Sequence, residues 1–337
     1  MSAGLVSLLT VGNGTVSGGH LYNQHMVDQA RRHDARVQLV PVTENPDFSN
    51  LPGQIVVDSI VAARVGRALP TEPGPLAALV HQVPGGVDGT HRARRARRTA
   101  DLRLYGMCRL VMAASPSLAD GLLEDGIPAA HVEVVPPGCD LPTVAEGSQI
   151  DLRRGRKLAL LNVANWLPSK GIDDLLDVVE SLPPGEAVLH LVGSGEVDVR
   201  HARHLAGRLR GLGDGVIVHG QVSPQEMARL YSSADALVTT SRNEGYATVV
   251  AEALRAGLPV LGWGVGNIPN LVADGREGRL FDVGDTAGLR EEILSLAEDG
   301  ARLEGLRSKA AVRGRQLPTW QDTGDRFFDA LQGILDR

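Results

Sequence analysis

Aromatic residues are scarce in this chain of 337 residues: four Phe, four Tyr and three Trp, or 3%. A nucleic-acid binder needs stacking platforms and a basic face, and neither is present. The formal net charge is −6, with 34 Lys and Arg against 40 Asp and Glu. The acidity is mild in both halves, so neither half is a basic module. Cysteine is nearly absent. Cys108 and Cys139 cannot build a disulfide framework, which favours a reducing compartment. No apolar run approaches the length of a membrane span. Leu5–Val11 is apolar but too short for a signal core and runs straight into glycines, so it reads as a buried strand. These absences point to a soluble, cytoplasmic protein. Lysine is rare too. Only Lys157, Lys170 and Lys309 stand among the basic residues, the rest being arginine.

What remains is an alternation of short apolar runs with stretches of helical period, the pattern of parallel sheets in an α/β fold. Strands are predicted at 5–11, 37–42, 54–58, 76–81, 110–114 and 132–135. Helices are predicted between most of them, for instance at 19–33 and 116–125. Residues 136–156, rich in Pro, Gly and charge, read as an interdomain linker. The rhythm restarts with strands at 158–162, 187–192, 216–219, 236–239, 260–261 and 278–281, and turns helical from Thr286. Pro318 sets off a last helix over 319–336. The division is therefore 1–145, 146–317 and a C-terminal helix in 318–337. Ligands of such sheets bind beyond the carboxyl ends of the strands.

The segment from Ser241 to Val260 holds the densest chemistry. A strand ends at Thr240, a polar loop carries Arg242, Glu244 and Gly245, and a helix starts near Ala247. Gly257 closes that helix and Pro259 opens the next strand. The N–H groups at the helix start suit a phosphate. Glu244 before them and Glu252 on the helix suit hydroxyl pairs at the two ends of an anion, because a carboxylate accepts from both members of a diol. A nucleoside-diphosphate sugar has that form.

Glu244-x7-Glu252 within EGYATVVAEALRAGLPVL resembles the signature of glycosyltransferase family 4, retaining enzymes of the GT-B fold. The same family is similar at Ser17-Gly18-Gly19, at Val80-His81-Gln82-Val83-Pro84 and at Val135-Pro-Pro-Gly-Cys-Asp140. It is similar again at Pro168-Ser-Lys170-Gly171, Leu191-Val-Gly193-Ser-Gly195 and Val218-His219-Gly220-Gln-Val222. Each segment alone is weak; seven in order are specific. The resemblance implies two Rossmann-like domains facing across a cleft, the C-terminal helix crossing back to the N-terminal domain. Transfer would run from a UDP- or GDP-linked sugar to a small-molecule or glycan acceptor held by the N-terminal domain. It implies that His81, Lys170 and Glu244 serve catalysis. Lys170 would neutralise the diphosphate, approached also by Gly18 and Gly19, and His81 would face the transferred sugar. Glu252 would bind the ribose. Glu244 and the backbone of Gly245, Tyr246, Ala247 and Thr248 would hold sugar and β-phosphate. Gly193 and the turn of His219, Gly220 and Val222 would lie at the nucleoside. No metal and no cofactor are implied. One position departs: the family carries arginine five residues before its loop lysine, and here Asn165 stands there. Arg242 is the nearest replacement.

Other readings stand beside this one. Gly12-Asn-Gly14-Thr-Val-Ser-Gly18, with Glu44 as ribose acid, resembles a dinucleotide fingerprint and would imply an NAD-dependent oxidoreductase. A nucleotide-sugar epimerase on the same fold is the other alternative. His201 and His204 have metal-ligand spacing, but no acidic partner accompanies them in sequence, so a solvated helix face is expected. The arginines from Arg92 to Arg98 invite a peripheral membrane contact. Lacking bulky apolar residues beside them, they read first as a solvated, partly salt-bridged helix.

Overall fold

The computed structural model describes residues 4–12, 18–43, 51–68, 76–145, 147 and 149–335. They form two compact units, one of Met1–Gly138 with Pro318–Arg337 and one of Cys139–Leu317. Each is built on a six-stranded sheet whose strands are all parallel. As expected from the alternation of apolar runs, the chain is an α/β protein.

The first unit contains β1 (Gly4–Thr10), β2 (Ala35–Pro41), β3 (Gln54–Asp58), β4 (Leu76–Val80), β5 (Leu110–Ala113) and β6 (Val132–Val134), in the order β2-β1-β3-β4-β5-β6. Its helices are α1 (Gly18–Gln29), α2 (Ser59–Ala68), α3 (His91–Met107) and α4 (Pro116–Glu124). Parallel strands covered by helices on both faces need side chains that are apolar on both sides. β4, Leu-Ala-Ala-Leu-Val, is buried at every position. Helix starts follow their caps. The Thr90 hydroxyl accepts from Ala93 N before α3, and Ser115 accepts from Leu118 N before Pro116 of α4.

The second unit contains β7 (Leu158–Val163), β8 (Ala187–Val192), β9 (Val216–Gly220), β10 (Ala236–Thr239), β11 (Val260–Trp263) and β12 (Gly278–Phe281), in the order β12-β11-β10-β7-β8-β9. Around it lie α5 (Ile172–Ser181), α6 (Val199–Leu212), α7 (Pro224–Ser233), α8 (Thr248–Arg255), α9 (Ile268–Leu271), α10 (Thr286–Glu298) and α11 (Gly300–Gly314). Its core gathers Leu160, Leu189, Val238 and Trp263 from the sheet with Leu175, Ile293 and Leu303 from helices. The described residues between β6 and β7 include no helix or strand.

After Pro318 the chain joins the first unit through α12 (Trp320–Leu335). Trp320, Phe327, Leu331 and Ile334 enter the core of Leu8, Tyr22, Met26 and Leu79. Trp320 stacks on His25 at 3.9 Å, and Phe328 stacks on His33 at 4.6 Å. Gln54 Nε2 donates to Leu331 O at 2.9 Å and Thr323 Oγ1 donates to Pro136 O at 2.9 Å. The C-terminal helix thus packs against α1, as its apolar spacing and the family resemblance implied.

Candidate functional site

In a doubly wound sheet the ligand crevice opens where the strand order reverses, beyond the carboxyl ends of the two strands there. In the second unit those strands are β7 and β10. The loop after β7 ends in a tight turn at Pro168–Lys170, followed by Gly171 in the left-handed region at φ 60°. A Cβ at Gly171 would lie 2.1 Å from Thr240 O, so only glycine fits against the end of β10. Thr240 Oγ1 donates to Gly171 O at 2.8 Å, and Arg242 N donates to Ser169 O at 2.8 Å. The two loops are stitched together, and Lys170 meets Glu244: Nζ to Oε1 is 2.6 Å. The pair is partly open to solvent, the lysine side chain 27% exposed and the glutamate 13%.

Beyond Glu244 the backbone turns through Gly245 and the buried Tyr246 to Ala247, which holds φ 67° and caps α8. The first bond of that helix end is Val250 N to Ala247 O, so the N–H groups of Thr248 and Val249 come before the ladder begins. Glu252 lies one turn further. Burial pushes its carboxyl up to about 7, against the lowering effect of Tyr231, whose hydroxyl donates to Oε2 at 2.9 Å.

The loops after β7 and β8 also meet. Gly193 holds φ 137°, and a Cβ there would lie 2.0 Å from Ala164 O. Ser194 N donates to Asn165 Oδ1 at 3.0 Å, and Gly193 N donates to Gly220 O at 2.8 Å. Asn165 therefore works as an acceptor joining two loops, a role an arginine cannot fill. The guanidinium of Arg242 is paired with Asp174 on α5, Nη2 lying 2.8 Å from Oδ2. His219 and Gly220 are the last two residues of β9, and the half-buried Val222 lies in the following loop.

In the first unit the order reverses between β1 and β3. Asp58 ends β3 fully buried; Asn23 Nδ2 donates to its Oδ2 at 2.5 Å and Ile60 N to its Oδ1 at 2.9 Å. Thr10 Oγ1, at 3.4 Å, adds a longer contact. The next residue, Ser59, accepts from His81 N at 3.0 Å, which ties the end of β4 to the same knot. Gly18 and Gly19 open α1, and a Cβ at Gly19 would come within 3.0 Å of His81 Cδ2. His81 packs edge-on to Tyr22 at 4.9 Å, and its Nε2 is buried without a partner among the described residues. Burial lowers its pKa, with Asp58 pulling the other way. A neutral imidazole with one unsatisfied nitrogen is thus held beside the glycine start of α1. Ser17, Gly14 and Glu44 lie outside the described residues.

Two expectations gain detail. His201 and His204 do have an acidic neighbour: Asp173 of α5 lies 2.8 Å from His204 Nε2 and 3.9 Å from His201 Nε2. Arg208 occupies the same carboxylate at 3.2 Å, so the negative charge of Asp173 is already answered; among the described residues no His, Cys, Asp and Glu group suits a metal. On α3, Arg97 donates to Gly85 O at 3.0 Å and Arg98 pairs with Asp125, while Asp101 accepts from Gly85 N at 2.7 Å. Part of the arginine run clamps the loop that follows His81 rather than facing outward. Among the described residues no helix is long and apolar enough to cross a membrane.

Sequence order hid Asp58, Asn23, Tyr231 and Asp174. Each reaches its partner across strands or helices far apart in the chain, and a local motif carries no sign of that. The comparisons with known proteins fall on the same elements. Residues 157–299 match the family model "Glycosyl transferases group 1". Mannosylfructose-phosphate synthase of Agrobacterium fabrum is 26% identical over 69% of this chain and 55% of its own length. D-inositol 3-phosphate glycosyltransferase of Thermomonospora curvata is 30% identical over 61% of this chain and 52% of its own. The chain thus spans about half the length of these curated relatives. Among solved structures, Anabaena HepE in complex with UDP and glucose superposes with a TM-score of 0.77 at 18% identity, covering 98% of this chain and 99% of HepE. Sucrose-phosphate synthase from Thermosynechococcus elongatus gives 0.78 at 16% identity, over 99% of each chain. The group 1 glycosyltransferase model thus falls on the second unit, at residues 157–299, and the chain along its length has the GT-B fold of HepE.

Proposed function

We propose that the protein is a retaining glycosyltransferase that moves a sugar from a nucleoside-diphosphate donor to an acceptor. The observation that carries this reading is the Lys170–Glu244 pair at the reversal of β7 and β10, beside the start of α8. A cation, a hydroxyl-binding carboxylate and free helix N–H groups together match a diphosphate with a sugar at one end. Glu252, half-buried and bonded by the Tyr231 hydroxyl, takes the ribose hydroxyls at the other end. The turn of His219, Gly220 and Val222, with Gly193, takes the base. A relative in fold, HepE, is known in complex with UDP and UDP-glucose, which makes uridine the first donor to test.

Donor binding belongs to residues 146–317 and acceptor binding to residues 1–145. Lys170 must leave its Glu244 partner as the diphosphate arrives, and it then stabilises the charge that grows on the leaving group. Thr248 and Val249 N–H add fixed dipoles to the same oxygens. Glu244, released, orients the sugar hydroxyls, and the backbone of Gly245, Tyr246 and Ala247 fixes the phosphate end. A departing β-phosphate oxygen takes the acceptor's proton on the face it leaves, which retains configuration. His81, neutral and held by Tyr22 and Ser59, offers Nε2 to a sugar hydroxyl beside the glycine start of α1 at Gly18 and Gly19.

Thermal shift against UDP, GDP and NAD(H) tests the class. Ligand at 100 times its Kd adds about 2.7 kcal/mol of stability. UDP or GDP should raise the Tm; a response to NAD(H) with none to UDP or GDP overturns the reading in favour of an oxidoreductase.

A further inference from the structure

His190 on β8 is 1% exposed, yet both of its ring nitrogens are engaged. Nε2 lies 2.8 Å from Leu152 O, in the segment before β7, and Nδ1 lies 2.9 Å from Nε2 of His219 at the end of β9. The two rings stack at 5.2 Å with 27° between their planes. A carbonyl oxygen only accepts, so His190 donates from Nε2, and in the neutral ring its Nδ1 must be the acceptor. The proton between the histidines therefore sits on His219 Nε2. That leaves the lone pair of His219 on Nδ1, across its ring from the buried partner. Burial lowers the pKa of both histidines. The neighbouring charges are Arg154, which lowers both, and Glu226, which raises His219. A second proton on His190 would set two N–H groups against each other, so His219 Nδ1 is the one place where the pair can take a proton without breaking a bond.

We propose that His190 is a positioning residue which fixes the tautomer of His219, so that the turn after β9 offers an uncharged acceptor to the nucleobase and selects bases with a ring N–H. The proposal rests on the donor reading, which places the base at His219–Val222. Uracil and guanine carry such an N–H on the Watson–Crick edge. Cytosine and adenine present a lone pair there, and it would face the lone pair of His219. The selection costs nothing when the base arrives, because the acceptor is set by Leu152 O in the folded chain.

Isothermal titration of the full chain with UDP, CDP, GDP and ADP tests this against His190→Gln and His190→Asn. One hydrogen bond in such a site shifts affinity by about tenfold. The wild type should favour UDP over CDP, or GDP over ADP, by about that factor. The His190→Gln amide still reaches Leu152 O, but it leaves no acceptor for His219, and the preference should fall towards one. His190→Asn sets its side-chain oxygen where Nδ1 was, and the preference should return. Nitrogen-15 spectra of the histidine rings report the tautomer without any nucleotide. Wild-type His219 should be protonated on Nε2 and bare on Nδ1, and His190→Gln should lose that bias. A His219 protonated on Nδ1, or an undiminished preference in His190→Gln, overturns the proposal. Binding of none of the four nucleotides by the wild type instead removes the donor reading, and base selection falls with it.

Discussion

The two sheets of this protein reverse their strand order at places that look alike in topology and differ in how charge is used. Between β1 and β3 the carboxylate of Asp58 is fully buried and bonded to Asn23 and to Ile60 N. Between β7 and β10 Lys170 and Glu244 stay partly open, the lysine 27% exposed. A charge sealed among fixed donors belongs to the fold, because leaving its partners unpaired in the interior is costly. A charge paired with a side chain that is itself partly open to solvent can change partners when a ligand comes. Unit one therefore spends its charge on holding strand ends together. Unit two keeps its charge available.

The comparison breaks most visibly at Lys170. Lys170→Ala should lower kcat/KM by about 100- to 1000-fold, the usual loss when one transition-state donor is removed. The Tm should hardly move, since partly exposed ion pairs contribute about 0–1 kcal/mol. Near-normal turnover on the natural donor would refute the role, and a collapse of the Tm would place Lys170 with Asp58 as a structural charge.

Asp58→Ala should do the reverse. Loss of the shared acceptor strands Ile60 N and leaves Asn23 Nδ2 with only Thr10 Oγ1, at 3.2 Å, at a cost of roughly 2–4 kcal/mol in urea unfolding. Donor affinity, which the proposed function assigns to the second unit, should be unchanged in the protein that remains folded. Equal loss of donor binding and stability would erase the contrast.

Glu252 sharpens it, because it combines both uses. Its carboxyl is raised to about 7 from an ordinary 4.5 by burial, so the folded state favours the protonated form. The sign follows: relative stability from this group is full below the unfolded pKa and is lost as pH rises from about 4.5 through about 7, to an extent of about 3 kcal/mol. Glu252→Gln removes that slope. Its Tm should gain on the wild type between pH 5 and pH 8, while its nucleotide affinity at pH 8 drops. A pH-independent Tm difference would show that Glu252 does not titrate in this range.

The strands were legible because parallel strands buried on both faces are unbroken apolar runs, and β3, β8, β10 and β12 end where sequence put them. Lys170, Glu244 and the helix start at Thr248 were legible because loop, cap and helix occur in one stretch of chain. The Asp58 knot was not, since Thr10, Asn23 and Asp58 come together only once β3 is known to lie beside β1. The contact of His190 with His219 was hidden in the same way by the pairing of β8 with β9. Asp173 beside His201 and His204 needed the packing of α5 against α6, and sequence spacing on α6 alone pointed away from it.

The smallest expected effect tests whether the open side of the first unit is shaped for ligand or for packing. Gly19 is the second residue of α1, where alanine is favoured over glycine by less than the about 1 kcal/mol of a helix interior. Its new Cβ would meet His81 Cδ2 at 3.0 Å, His81 Cγ at 3.4 Å and Ile60 Cδ1 at 3.4 Å, so the imidazole must give by a few tenths of an ångström. His81 is held from the other side by the ring of Tyr22 at 4.9 Å and has little room to yield. Gly19→Ala should therefore leave the Tm equal to or slightly above the wild type and still lower kcat several-fold, with donor Kd within twofold. A rise in Tm with full turnover would mean that the glycine is incidental and that His81 need not hold its position. A fall in Tm would mean that the contact with His81 is a packing contact first. Only a gain or tie in stability with a loss in turnover marks Gly19 as space kept clear for chemistry, since helix propensity alone would have filled it.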